Sequence, residues 1–172
     1  MKAAILTVSD RCARGEAKDR SGRALRRALA TRGIEVVGAS LVADEKSAIQ
    51  EQLLRMSDEL AADVVLTTGG TGLGPRDVTP EATEAVVERR VPGIAEAIRA
   101  GSLAKTVTAM LSRGTAGLRG RTLIVNLPGS PRGAVECLEI LWPALGHAVE
   151  MIQGGGHPEE ARENDAASAP PG

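Results

Sequence analysis

Residues 62–68, ADVVLTT, run straight into GGTGLGPRDVTPEAT at 69–83. The first piece has the unbroken apolar centre Val64-Val65-Leu66, which reads as a strand buried on both faces. The second packs Gly69, Gly70, Gly72 and Gly74 and two prolines around the pair Arg76-Asp77. Thr79 then reads as the cap of a helix whose first residue is Pro80, with Glu81 favourable in the first turn. A buried strand, a glycine-rich loop and a helix in that order form one unit of an alternating α/β chain.

The same alternation extends in both directions. AAILTVS at 3–9 is an apolar run of strand length, and SGRALRRALATRG at 21–33 sets Leu25, Ala28, Leu29 and Ala30 at helical spacing. Ser21 is expected to cap that helix and Gly33 to end it. Residues 34–42 read as a second strand, and 46–61 as an amphipathic helix with Ile49, Leu53, Met56 and Leu60 on one face. The helix from Pro80 is expected to end near Val91, before Pro92, and a further helical stretch covers roughly 93–104. Residues 105–120 carry no clear period, TLIVN at 122–126 is another buried strand, and 130–141 restarts a helix with Ser130 as cap and Pro131 at its first position. Pro143 either kinks that helix or begins a new one.

Such alternation predicts an α/β fold with a parallel sheet and helices on both faces, in which ligands sit outside the carboxyl ends of the strands. Ser9-Asp10-Arg11, Asp44, the glycine loop and NLPGSP at 126–131 each follow a predicted strand. Four loops are therefore expected on one rim.

Composition narrows what that rim can bind. The 172 residues suit one domain, read as 1–153, and the Gly, Pro, Ala and acidic residues of 154–172 read as a disordered tail. With 21 basic and 22 acidic side chains there is no global field to attract nucleic acid or a membrane, so any anion site must be local. The amino terminus lacks a signal-peptide pattern and no stretch reaches membrane-span length, which makes the cytoplasm the expected compartment. Cys12 and Cys137 belong to no metal-ligand spacing. Phe and Tyr are absent and Trp142 stands alone, which argues against single-stranded nucleic acid and flavin ligands held by stacking.

Two generic phosphate motifs fail on the glycine loop. Gly69 and Gly74 have P-loop spacing, but Pro75 and Arg76 stand where Lys and Ser or Thr are required. Pro75 also stands where a dinucleotide fingerprint begun at Gly70 needs glycine. What survives is physical: residues without Cβ let backbone N–H groups approach an anion, beside a helix start.

VSDRCARGEAKDRSG, TTGGTGLGPRDVTPEAT, AMLSRGTAGLRG and NLPGSPRGAVECLEILWPALGHA together resemble the molybdopterin adenylyltransferases of molybdenum cofactor biosynthesis, from about residue 5 to about 152. The resemblance implies a three-layer α/β fold with a mostly parallel sheet, a homotrimer, and transfer of AMP from Mg-ATP to the terminal phosphate of molybdopterin with release of pyrophosphate. A downstream molybdate-insertion protein would take the product. The resemblance places catalysis and Mg²⁺ on Asp44 and Asp77, with Ala43 where the family has Pro before the first acid. It places nucleotide and phosphate binding on Ser9, Asp10, Gly69, Gly70, Thr71 and Gly72, and molybdopterin on Gly129, Ser130, Pro131, Arg132 and Arg76.

The residues suit that chemistry. The attacking phosphomonoester is largely ionised at pH 7, its second pKa being about 6, so no general base is needed. The requirement is relief of repulsion between anions, for which Asp44 and Asp77 can hold a metal and Arg11, Arg76 and Arg132 are candidate clamps. Taken alone, Asp77 reads first as a residue that caps the turn or pairs with Arg76, and Asp44 reads equally as an acid at a helix start. A non-catalytic molybdopterin-binding paralogue and a trimeric scaffold module are the alternatives.

Overall fold

The computed structural model describes residues 1–155, so the tail expected from 154 onward lies almost wholly outside the described residues. The six strands are β1 (Lys2–Val8), β2 (Glu35–Val42), β3 (Val64–Thr68), β4 (Arg89–Arg90), β5 (Ala116–Arg119) and β6 (Thr122–Leu127). They form one sheet in the order β2-β1-β3-β6-β5-β4. The first four strands in that order are parallel, while β5 runs antiparallel to β6 and β4 antiparallel to β5 at the far edge.

Helices cover both faces. On one lie α2 (Ser21–Ala30), α5 (Pro92–Leu103) and α6 (Pro131–Ile152), which bury Leu25, Leu29, Ile98, Leu138 and Leu145 against Ile5, Leu66 and Val125. On the other lie α3 (Lys46–Leu54) and α4 (Thr79–Glu84), which bury Ile49, Leu53 and Ala82, with Val86 just after α4, against Ala4, Leu6, Val65 and Ile124. The expected three-layer arrangement is present. Every residue of β3 and β6 is buried, as the unbroken apolar runs required, and each such Val, Leu or Ile contributes about 1.5–3 kcal/mol of burial. α3 continues as a π-helical turn over Arg55–Glu59, and α6 runs through Pro143 without ending. A short α1 (Asp10–Ala13) follows β1.

Three local expectations are corrected. The helix predicted to reach Val91 ends at Glu84, and Arg89–Arg90 pairs with Gly117 and Leu118 of β5 instead. A long-range ladder outweighs the local helical pattern there. Thr79 is the first residue of α4 rather than its cap, because its hydroxyl donates to the Gly69 carbonyl at 2.9 Å. Ser21 likewise lies inside α2, whose Gly22 N–H is satisfied by the Asp19 carboxylate at 2.8 Å. Ser130 does cap α6, accepting from the Gly133 N–H at 3.1 Å.

Candidate functional site

The carboxyl ends of β2, β1, β3 and β6 lie side by side and lead into Ala43-Asp44, Ser9-Asp10, Gly69-Gly70 and Pro128-Gly129, the four loops read from the sequence. The strand order, not the strand direction, reverses between β1 and β3, where doubly wound sheets open a ligand crevice. The glycines are needed by the closeness of these strand ends. Gly69 has φ +105°, and a Cβ there would stand 2.1 Å from the Val8 carbonyl oxygen. Gly70, at φ +61°, would meet the Thr79 hydroxyl at 2.3 Å and an Asp44 carboxylate oxygen at 3.0 Å.

Four carboxylates gather around these loops. Asp10 and Asp44 bind reciprocally: the Asp10 N–H donates to Asp44 Oδ2 at 2.7 Å, and the Asp44 N–H donates to Asp10 Oδ1 at 3.0 Å. Arg76 grips both Asp10 oxygens at 3.1 and 3.2 Å and reaches Glu45 at 2.6 Å. Asp77 Oδ2 accepts the Gly74 N–H at 2.8 Å, which closes the turn at the loop's tip. The electrostatics of the two neighbours differ. The Arg76 hydrogen bond, helped by the Asp44 amide, holds the Asp10 carboxyl below its ordinary value. Burial, reinforced by the negative charges of Asp10 and Asp77, pushes the half-buried Asp44 above its own, despite the bond from the Asp10 amide. Burial is thus the main cost of the Asp44 charge, with its acidic neighbours adding to it.

Sequence reading missed the brace beneath the loop. Arg113 Nε donates to the Gly72 carbonyl at 2.7 Å, its terminal nitrogens reach the Asp77 carbonyl and Glu81, and its N–H donates to the Thr71 carbonyl at 2.9 Å. A second missed group is buried: the Asn126 amide donates to Thr67 at 3.0 Å and to Thr83 at 2.9 Å, tying β6 to β3 and α4.

These loops bound a cavity of about 930 Å³ between the starts of α2 and α6. Of the expected site residues it brings together Ser9, Asp44, Gly69, Gly70, Asp77, Gly129 and Pro131. Asp10, Thr71, Gly72 and Arg76 support the loops without lining it, while Ser130 faces a separate hollow of about 170 Å³ between α5 and α6. Arg132 is exposed and bonded to Glu136 one turn along α6, at 2.9 Å. Lys18, Asp19 and Arg20, to which sequence reading gave no role, line the same cavity as Gly129 and Pro131. Among the described residues no three Asp, Glu, His or Cys side chains form a ready-made metal cluster. Among the described acids that line the cavity, Asp44 and Asp77 have no arginine partner, and neither has Asp19, whose oxygens are taken by Thr7 and Gly22. No helix among the described residues is long and apolar enough to cross a membrane.

The family described as "Probable molybdopterin binding domain" matches residues 4–147. The molybdopterin adenylyltransferase of Helicobacter pylori is 43% identical over 152 residues, which cover 87% of this chain and 86% of that protein. The Escherichia coli enzyme of the same name is 40% identical over 87% of this chain and 77% of its own length. Among solved structures, the molybdopterin biosynthesis enzyme MoaB of Thermus thermophilus superposes with a TM-score of 0.84 at 51% identity, covering 89% of this chain and 96% of that one. The chain thus belongs to the molybdopterin-binding family of molybdenum cofactor biosynthesis proteins.

Proposed function

We infer that this protein is a molybdopterin adenylyltransferase, moving AMP from Mg-ATP to the terminal phosphate of molybdopterin with release of pyrophosphate. The observation that carries the reading is the convergence of Asp44, Asp77, the Gly69-Gly70 turn and the Gly129-Pro131 loop on one cavity at the sheet's switch point. Its lining contains no histidine, which suits a reaction whose nucleophile is already ionised.

In this reading the residues act by position and charge. Gly69 and Gly70 let the backbone approach the nucleotide phosphates closely, and Gly129 and Pro131 flank the pterin side. Asp44 and Asp77 fit a magnesium ion, which commonly takes one or two carboxylates and completes its shell with substrate phosphates and water. When bound, the ion would supply charge neutralisation between the two phosphate groups. Arg113 and Arg76 hold the loop that carries Asp77, so that the acid is placed before substrate arrives.

Homotrimeric assembly, delivery of the adenylylated pterin to a molybdate-insertion protein, and a cytoplasmic setting belong to the same reading. The exposed apolar residues Leu103, Val107, Met110 and Leu111 support the assembly part. The test is direct: purified protein is mixed with molybdopterin and Mg-ATP. Pyrophosphate and adenylylated pterin are expected in equal amounts; binding of molybdopterin with no pyrophosphate under any condition would make the protein a binding module instead.

A further inference from the structure

Several arginines of this chain are paired with acids in place, as Arg14 is with Glu16, Arg119 with Asp58 and Arg76 with Asp10 and Glu45. Lys18, Arg20, Arg23 and Arg26 are not: they are exposed, follow one another into α2, and have no ion-pair partner among the described residues, and Arg11, which also lines the rim cavity, has none either. Lys18 and Arg20 line the rim cavity. Arg23 and Arg26 line a groove of about 450 Å³ between α2 and the edge strand β2. Thr7 and Asp19 line both spaces, so cavity and groove meet there. Arg20, Arg23 and Arg26 recur every third residue, which keeps them on one side of the helix with about 4.5 Å of rise between them.

The one acid at this junction is committed to the fold. Asp19 Oδ2 accepts from the Thr7 hydroxyl at 2.9 Å and Oδ1 from the Gly22 N–H at 2.8 Å. A Cβ on Gly22 would stand 2.4 Å from both Asp19 Oδ2 and the Thr7 hydroxyl, so the clasp also requires glycine. Asp19 is thereby held away from pairing with the strip.

We propose that this strip binds the pyrophosphate portion of the nucleotide and retains pyrophosphate after transfer. The proposal rests on the adenylyl-transfer reading above. Asp10, Asp44 and Asp77 repel additional phosphate charge, and the arginine beside them is already held by Asp10 and Glu45. The β- and γ-phosphates need cations that are not so held, and Lys18 and Arg20, with Arg11, line the same cavity. Gly129 and Pro131 bound the cavity at the start of α6, and the strip bounds it at the start of α2. A nucleotide whose α-phosphate lies over the acids then has the pterin on one side and the strip on the other, as in-line displacement requires. In that step an oxygen of the pterin's terminal phosphate bonds to the α-phosphorus. The bond from that phosphorus to the α,β-bridging oxygen breaks, and the oxygen leaves with the electron pair as pyrophosphate.

The experiment is calorimetric titration of inorganic pyrophosphate, with Mg²⁺, into the full-length protein and into two double variants, Lys18→Gln with Arg20→Gln and Arg23→Gln with Arg26→Gln. All four positions are exposed, and circular dichroism checks that the variants fold. Each double variant is expected to bind roughly tenfold or more weakly, with a parallel rise in the KM for ATP and no change in molybdopterin affinity. Wild-type pyrophosphate affinity in both double variants would overturn the proposal. If that affinity depends on the strip but the wild type makes no adenylylated pterin, the strip stands as a polyphosphate site and the transfer reading fails. If transfer is normal and pyrophosphate binding ignores the strip, the strip fails and the transfer reading stands.

Discussion

The acid floor of the rim cavity and the basic strip beside it are built on contrary rules. On the floor nearly every group is tied: Asp10 to Asp44 and Arg76, Asp77 to Gly74, the loop carbonyls to Arg113. On the strip, long exposed cations have no ion-pair partner among the described residues. The difference teaches that geometry and charge are supplied by separate parts of the site. The floor is fixed before a ligand arrives, so small displacements there are expected to cost rate; the strip supplies charge, so changes there are expected to cost affinity and respond to salt.

The largest effect expected from this contrast is on the floor. Asp77→Asn keeps an oxygen for the Gly74 N–H while removing one negative charge, and pyrophosphate release should fall by about 10²-fold with folding and molybdopterin binding retained. Adding Asp44→Asn should cost less than the sum of the two single losses if both acids serve one ion. Loss confined to KM would break the contrast, since it would make the floor behave like the strip.

Next comes backbone fit. Gly69→Ala places a Cβ against the Val8 carbonyl at a positive φ and should destabilise the fold by about 3 kcal/mol. Gly15→Ala, also at positive φ but with nothing within 4 Å, should cost only about 1 kcal/mol in the same thermal melts. Equal losses would mean that conformation alone, and not the closeness of the strand ends, demands glycine at 69. Arg113→Lys should cost about 1–2 kcal/mol, because a lysine cannot span the Gly72 and Asp77 carbonyls together. It should also lower the transfer rate more than it raises the KM for ATP. The smallest effect belongs to Trp142, which packs under the Arg32 guanidinium, 4.9 Å from its ring centre, and does not line the cavity. ATP should leave its fluorescence unchanged, and Trp142→Ala should still bind ATP; strong quenching would place the base far from the rim.

Much of the floor was legible in the sequence because it is local. A loop that follows a strand of a parallel sheet inherits its place on the rim, so chain order alone groups Ser9, Asp44, Gly69 and Gly129. What was not legible depends on distant pairing. Arg113 sits in the stretch without a period, and only the β5 ladder brings it beneath a loop about forty residues earlier. Arg89–Arg90 reads as a helix end until β5 is there to pair with it. Asp19 lies two residues before the serine that local rules favour as a cap, and its reach to Thr7 across α2 leaves no trace in spacing. Arg132 did leave one: Glu136 stands four residues on, the spacing of a helical ion pair.

The central claim is that Asp44 is kept half-buried, at some cost to stability, because its charge serves the transfer reaction. Asp44 tests this most directly. Its carboxyl is raised above the ordinary 3.8 by burial and by its acidic neighbours, so the folded state holds that proton more tightly than the unfolded chain does. Asp44 therefore lowers stability as pH rises from 3.8 through its raised value, and the loss persists at neutral pH. Asp10, with its lowered carboxyl, does the reverse: its contribution is present above 3.8 and is lost as pH falls through its lowered value. Melting temperature and pyrophosphate release should be measured on the same preparation of Asp44→Asn at pH 7, without and then with substrates. The account predicts a higher melting temperature than wild type together with a large loss of transfer. A lower melting temperature with transfer intact would contradict it, and would reduce Asp44 to a structural tie between β2 and β1.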